Sequence, residues 1–398
     1  MRPAVAAAHR QLVARPCVPL PFSEMGASTA IALSSELSVR FSHQLERLHH
    51  AAEITSASSA LQTRSENFPF SVLLALHVDT VSLLHGSSAL QSRLSGSSQG
   101  DAASGEQKKR WFAVDDRAAF RGLLAEVQGR HSSSTEIVME CVKSRQLPLS
   151  LTRPFLTSRI STLVLLEHCT QGLLSKGSSA DDDAALEGPT PSTSLAAVAA
   201  AAAAEARTIA AFDTGGDCDI EVLITDNTSS NGVATSAPSL VRYVLLELLK
   251  NSFRAVAEAS LPDPPAIQVD LFDGQKNQTH VCVIHDRGIG MEQREAEAAL
   301  HRFDVKIPSE NSDPWPRGNR DSGPHYDRLD HQVSYMPPRS PMHGFGVGLA
   351  LARIYCEYLG GTLAVESRLG EGTVATLHLP ATTSALEKIP TSTTVRIC

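Results

Sequence analysis

No G-x-x-x-x-G-K-[ST] phosphate loop occurs in this 398-residue chain, and no H-R-D or D-F-G series. Any nucleotide site here is therefore neither of the P-loop kind nor of the kind those kinase signatures mark. Cysteine is sparse: Cys17, Cys141, Cys169, Cys218, Cys282, Cys356 and Cys398 are scattered and form no C-x-x-C. Neither a zinc site nor a disulfide framework is indicated, and buried thiols in a reducing compartment are expected. Positive charge is in deficit, with 35 Lys and Arg against 43 Asp and Glu and a net charge of −8, so no nucleic-acid partner is expected. Long apolar runs are missing too. The blandest stretch, 195–204, is alanine-rich, too short for a bilayer, and closed by Glu205 and Arg207, so no membrane span is expected. What remains, 42% hydrophobic and 20% charged residues, describes a globular chain with enough core for two or three domains.

The first acid is Glu24, while Arg2, Arg10 and Arg15 lie among many alanines. An Arg-rich, acid-poor start matches a mitochondrial transit peptide, assigned to 1–25. Helical periodicity follows at 28–50, 68–85, 117–146 and 152–175. Four helices in series predict a bundle over 26–180. The stretch 181–215 opens with Asp181-Asp182-Asp183, passes Pro189 and Pro191, and runs into alanines; it reads as a low-complexity linker. A second domain at 216–384 mixes strands at 218–225, 266–272, 279–285, 362–367 and 373–379 with helices at 239–260 and 346–359, leaving 385–398 as a tail. The fold class is α+β.

Three segments carry chemistry. In Leu245-Leu246-Glu247-Leu248-Leu249-Lys250-Asn251, Glu247 and Asn251 are four apart and share one helix face, with leucines around them. An amide oxygen at Asn251 suits Mg²⁺, which takes hard oxygen ligands and keeps several waters. Glu247, one turn earlier, can accept a proton from an attacking hydroxyl. Asp286 ends the apolar strand Val281-Cys282-Val283-Ile284 and leads into Gly288 and Gly290. A carboxylate there can accept from the exocyclic amine of adenine, and the glycines permit close backbone approach. The run Gly344-Phe345-Gly346-Val347-Gly348-Leu349 opens a helix whose N-terminal amides offer an anion site. Gly370-Glu371-Gly372-Thr373 lies on the next hairpin. Each segment alone is ordinary; an E-x-x-x-N pair is usually two polar positions on a half-exposed helix. The order of all three is what points to ATP.

With those segments in place the chain resembles the GHKL ATPase superfamily. Within it, the chain is similar to the mitochondrial 2-oxoacid dehydrogenase kinases. Leu246-Glu247-Leu248-Leu249-Lys250-Asn251-Ser252-Phe253-Arg254-Ala255, Pro341-Met342-His343-Gly344-Phe345-Gly346-Val347-Gly348-Leu349 and Glu357-Tyr358-Leu359-Gly360-Gly361 look most like the branched-chain member. Outside the ATP domain, Glu36-Leu37-Ser38-Val39-Arg40 resembles the family's E-L-P-V-R, and Phe155-Leu156-Thr157-Ser158-Arg159-Ile160-Ser161 its F-L-x-S-R-I-S.

The resemblance implies a four-helix bundle followed by a Bergerat-type ATP domain, with a mixed sheet and helices on one face. It implies ATP and Mg²⁺ as cofactors, the matrix as compartment, and inactivating serine phosphorylation of the E1α subunit of a 2-oxoacid dehydrogenase. The branched-chain complex is favoured over the pyruvate complex, because Tyr243 stands where pyruvate-type members carry histidine. The lipoyl domain of E2 and a homodimer partner are implied with it. By position, Glu247 is the base, Asn251 the Mg²⁺ ligand, Asp286 the adenine acceptor, Gly344 to Leu349 the phosphate wrap and Thr373 an adenine support. Arg254, Gly288, Gly290 and His343 fall in the same nucleotide site, and His131 matches a bundle histidine coupled to the glutamate.

The lid region 302–343 departs from the family. Phe303-Asp304-Val305-Lys306-Ile307-Pro308-Ser309 replaces a Ser/Thr-Thr pair, which leaves Ser309 or Lys306 for the phosphates and Asp304 as the candidate for the family's K⁺. Two other readings stand beside the serine kinase. A histidine kinase would use His43 in Phe41-Ser42-His43-Gln44-Leu45-Glu46-Arg47, although the proline that follows the arginine in the phospho-acceptor box is absent. A catalytically impaired ATP-binding docking protein is motivated by the lid, but it has no need of a base at Glu247.

Overall fold

The computed structural model describes residues 3–19, 30–58, 68–86, 114–131, 134–143, 147–174, 193–214, 218–228, 234–235, 238–274, 279–303, 346–380 and 387–389. The chain divides into two compact units. One comprises Met1–Pro191, Tyr358–Gly360 and Thr383–Cys398; the other comprises Ser192–Glu357 and Gly361–Thr382.

The first unit is helical: α1 (Pro3–Val13), α2 (Ala30–Ser58), α3 (Phe68–Gly86), α4 (Val114–Arg130), α5 (Ser134–Lys143) and α6 (Leu149–Leu174). Helix α2 packs on α3 and α6, α4 on α6, α5 on α3, and α1 on α2 and α3. Leu37, Phe41, Leu45, Val81, Leu84, Phe120, Leu124, Val127, Leu165 and Leu166 form its core. Over 26–180, where four helices were expected, five are described, and α1 precedes them. The 117–146 segment breaks after His131, because Ser134 donates its hydroxyl to the His131 carbonyl at 2.7 Å and opens a new helix. Serine competes for backbone groups in this way and so favours helix ends.

The start of the chain is described as well. Residues 3–19, inside the segment expected as a presequence, are packed into this unit. Val5 joins the core and Cys17 is 3% exposed. The Arg15 carbonyl accepts from His43 Nε2 at 2.7 Å. The Val18 amide donates to Glu36 at 2.9 Å, and its carbonyl accepts from Arg40 at 2.9 Å. Arg40 is fully buried. It also donates to Glu36 (3.1 Å), to the Ser161 carbonyl (3.2 Å) and to Glu387, which Tyr358 meets as well. A charge this deep is tolerable only when paired and hydrogen-bonded, and residue 18 supplies part of that pairing.

The second unit contains β1 (Thr193–Ser194), α7 (Leu195–Thr214), β2 (Val222–Asn227), β3 (Ala234–Thr235), α8 (Pro238–Glu258), β4 (Ile267–Asp273), β5 (Thr279–Asp286), α9 (Gln293–Ala299), α10 (Gly348–Tyr358, its last residue assigned to the other unit), β6 (Thr362–Arg368) and β7 (Gly372–Pro380). A five-stranded mixed sheet has the order β2-β4-β5-β7-β6, with β2 parallel to β4 and the other pairs antiparallel. Strand β5 alternates half-buried and buried, and β6 exposed and buried, so each strand turns one face inward. Helices α7 and α8 pack on the sheet, α7 on β2 and β4, α8 on β5 and β7. The α+β class follows from this architecture.

The alanine tract is a correction to the linker expected at 181–215. Residues 195–214 form a helix lying along α8, with Leu195, Val198, Ala199, Ala202, Ala203, Ala206 and Ala210 buried. Those positions follow the spacing of one helix face, and their small side chains let two helix backbones approach. By length and composition alone Leu195–Asp213 and Pro69–Gly86 could cross a bilayer, yet both bury residues inside their units, Ala202 and Leu73 among them.

Removing residues 1–19 should lower the thermal midpoint of the helical unit by about 5–15 °C, the equivalent of roughly 2–4 kcal/mol for one buried valine and the lost Val18 pairing. Calorimetry of the full and shortened chains checks this; an unchanged midpoint would mean the segment contributes nothing to the fold.

Candidate active site

Helix α8 is two-sided. Leu240, Val241, Val244, Leu245, Leu248, Leu249, Phe253 and Val256 are buried, and so is one polar side chain, Ser252. Glu247, Asn251 and Arg254 fall outside that stripe. Glu247 and Lys250 form an ion pair at 2.7 Å, their side chains only 15% and 13% exposed. Asn251 is exposed, and Arg254, also exposed, pairs with Glu258 at 2.7 Å.

Asp286 ends β5 directly opposite Thr373 of β7 and is 3% exposed. Its Oδ2 accepts the Ser252 hydroxyl at 2.9 Å and its Oδ1 accepts the Gly288 amide at 3.1 Å. Burial raises its pKa above the ordinary carboxylate range, and the bonds from Gly288, Ser252 and Thr373 oppose that rise. The turn that follows needs its glycines. A Cβ at Gly288 would sit 2.4 Å from the Ala255 backbone of α8, and Gly290 has φ +59° with Arg368 O 2.0 Å from a built Cβ. Thr373 Oγ1 lies 2.8 Å from Ser367 Oγ, which in turn donates to the Gly372 carbonyl at 3.1 Å.

Of the glycine run, Gly346, Val347, Gly348 and Leu349 are described; Gly346 has φ +73°, and Gly348 opens α10. A Cβ at Gly348 would meet Glu247 Oε2 at 2.7 Å. The carboxylate therefore sits against the first residue of α10. His343, Gly344, Phe345 and Ser309, together with Lys306 and the K⁺ candidate Asp304, lie outside the described residues.

Two residues stand in this site without having been assigned a role from the sequence: Ser252, which holds Asp286, and Lys250, which holds Glu247. Ser252 could have been found as the lone polar position on an otherwise apolar helix stripe. No group of three His, Cys, Asp or Glu side chains able to hold a metal occurs among the described residues. The donor chemistry still fits magnesium: the exposed amide of Asn251 would complete a shell supplied mainly by phosphate and water oxygens.

His131 belongs to the helical unit. It is buried, its Nε2 lies 2.9 Å from Thr80 Oγ1, and its ring meets that of His77 edge-on at 4.9 Å. Burial pushes its pKa down to about 2, with His77 and Arg159 adding to the shift. His43 is buried as well, 2% exposed and bonded to the Arg15 carbonyl, which is a poor setting for a phospho-acceptor.

The family described as histidine kinase-, DNA gyrase B-, and HSP90-like ATPase matches residues 236–383. Among curated proteins, the mitochondrial [pyruvate dehydrogenase (acetyl-transferring)] kinase of Schizosaccharomyces pombe is 32% identical over 145 residues, 35% of this chain and 30% of that kinase. The Arabidopsis thaliana kinase of the same name is 30% identical over 156 residues, 38% of each chain. Human isozyme 4 is 27% identical over 154 residues, 38% of this chain and 32% of the isozyme. The chain thus matches about a third of the length of these relatives. Residues 236–383, which hold most of the mixed sheet together with Glu247, Asp286 and Gly348, thus match the histidine kinase-, DNA gyrase B-, and HSP90-like ATPase family and are similar to the mitochondrial pyruvate dehydrogenase kinases.

Proposed function

We propose that the chain is a mitochondrial matrix protein kinase that transfers the γ-phosphate of Mg-ATP to a serine of the E1α subunit of a 2-oxoacid dehydrogenase and thereby inactivates that complex. The observation that carries this reading is the placement of Glu247 Oε2 against Gly348, an acid beside the amide-bearing end of α10. A protein that only bound nucleotide would need Asp286 and the glycines, but no carboxylate at that point.

Asp286 accepts the adenine amine, Thr373 supports the ring from the hairpin, and the N-terminal amides of α10 take the phosphates. Asn251 would help hold a Mg²⁺ ion bound with the nucleotide, which would supply neutralisation of phosphate charge. The serine oxygen forms a bond to the γ-phosphorus as the bond from that phosphorus to the β-bridging oxygen breaks. The serine proton passes to the Glu247 carboxylate, and ADP leaves. Lys250 fixes the Glu247 side chain in place. His131, neutral and bonded to Thr80, supports the helical unit from within rather than titrating in the reaction.

The quoted strings and Tyr243 favour the branched-chain complex; the relatives named above are pyruvate dehydrogenase kinases. Docking on the E2 lipoyl domain, a homodimer and a K⁺ ion belong to the same reading. The deciding experiment is incubation with labelled ATP and each purified dehydrogenase complex. Acid-stable label on E1α of one complex is expected. Acid-labile label on the chain itself would indicate a histidine kinase, and no label anywhere would leave the docking reading.

Glu247→Gln should lower transfer by about 10²–10⁴-fold while ATP affinity stays within about twofold, since a general base contributes at that scale. Unchanged transfer would remove Glu247 from the reaction. Asp286→Ala should weaken ATP binding by roughly 10–100-fold, the loss of a hydrogen bond to a charged acceptor. In the unmodified chain, titration calorimetry should show affinity falling as pH drops, because a protonated Asp286 no longer accepts the amine as a carboxylate. The raised pKa puts the onset above the ordinary carboxylate range, and Asp286→Asn should abolish this pH dependence.

A further inference from the structure

We infer that Tyr243 and Tyr355 act as a stacked positioning pair that fixes Glu247 at its working distance from the phosphate end of α10. The inference rests on the reading of Glu247 as the base. The two rings lie with centroids 4.3 Å apart and planes 27° from parallel. Both residues are half-buried.

Sequence spacing gives this stack its meaning. Tyr243 is four residues before Glu247, so the two lie on one side of α8, about 6 Å apart along the axis. Tyr355 is seven residues after Gly348, two turns on and on nearly the same side of α10, about 10 Å along the axis. The same two stripes therefore meet twice. One meeting is the close approach of Glu247 Oε2 to Gly348, where a Cβ would be 2.7 Å away. The other is the aromatic stack. Tyr243 precedes Glu247 whereas Tyr355 follows Gly348, so the stripes run in opposite directions, and two contacts fix both their separation and their register.

The Glu247–Gly348 contact cannot hold that geometry alone. Glycine presents no side chain to grip the carboxylate, and Glu247 Oε1 is committed to Lys250 at 2.7 Å. That ion pair is internal to α8; it sets the rotamer of Glu247 but not the distance between helices. Asp286 and Ser252 anchor α8 to the sheet on its buried stripe. The ring stack is a lateral contact between the helix carrying the proposed base and the helix carrying the proposed phosphate amides. Stacked rings suit the task because they bury large surfaces and prefer a defined separation between ring centres.

The test is a steady-state comparison of Tyr243→Leu, Tyr355→Leu and the double variant with the phenylalanine variants. The readouts are phosphate transfer, release of ADP with water as acceptor, and ADP affinity. Each leucine variant should lose about tenfold or more in kcat, since small misplacements of reacting groups are expensive in rate. KM for ATP and ADP affinity should change by less than about twofold, because the adenine corner is held elsewhere. Tyr243→Phe and Tyr355→Phe keep the rings and should stay within about threefold of the unmodified chain. The double variant should be no worse than the single ones, as two halves of one contact are non-additive.

Additive losses, phenylalanine variants as poor as leucine ones, or losses carried wholly in KM would overturn the inference. Tyr355→Met, which fills the space without a ring, replaces a leucine variant that does not fold. Glu247→Gln runs in the same series. If it loses ADP release while the leucine variants do not, the base survives and the brace fails. If Glu247→Gln loses nothing, both fall. Because ADP release needs no dehydrogenase, a wrong protein substrate leaves this test intact.

Discussion

The hydrogen bond from Ser252 to Asp286 is the constraint around which the ATP unit is arranged. It joins the buried stripe of α8 to the end of β5, and it is supported by the Gly288 amide on the other carboxylate oxygen. A buried carboxylate is unfavourable unless its lone pairs are satisfied. Its donors come from the helix (Ser252), from the turn (Gly288) and from the facing strand (Thr373), so the carboxylate ties all three together. The turn can reach α8 only because residue 288 lacks a Cβ. The setting of Asp286, the proposed adenine acceptor, and the packing of helix on sheet are thus one geometric problem.

The same helix places the chemistry at the other corner. With Ser252 turned toward the sheet, Glu247 and Asn251 are turned away from it, and Glu247 meets the start of α10. Lys250 and the Tyr243–Tyr355 stack then limit what the carboxylate can do, one along its own helix and one between helices. On the proposed reading of Glu247, the site positions its base by packing rather than by a dense polar network. That fits phosphoryl transfer, in which the protein mostly positions reactants and compensates charge.

The helical unit shows a different economy. Arg40 sits at zero exposure and answers to Glu36, Glu387, Ser161 and Val18, groups far apart in the chain. Each is a small contribution, but together they draw the start and the end of the chain into one unit. This is why residues 3–19 carry structure although their composition resembles a targeting segment. Composition reports charge and bulk; it does not report that a backbone amide at Val18 has a buried carboxylate waiting for it.

Strand alternation in β4 to β7, the amphipathic α8, the acid at the end of β5 and the glycine turn were all legible in the sequence. They depend on local periodicity, on propensity and on residues such as Gly290 whose backbone demands are their own. The alanine tract was misread because low complexity and a small-residue packing face look alike until a partner helix is known. The break at His131 and the role of Ser252 escaped for a related reason: each depends on an atom brought near by the fold. Sequence decided which chemical groups the chain possesses and the order in which it offers them. Only tertiary structure decided that Glu247 would lie against Gly348 and Asp286 under Ser252, since side chains 34 to 101 positions apart are brought together by packing, which no local pattern encodes.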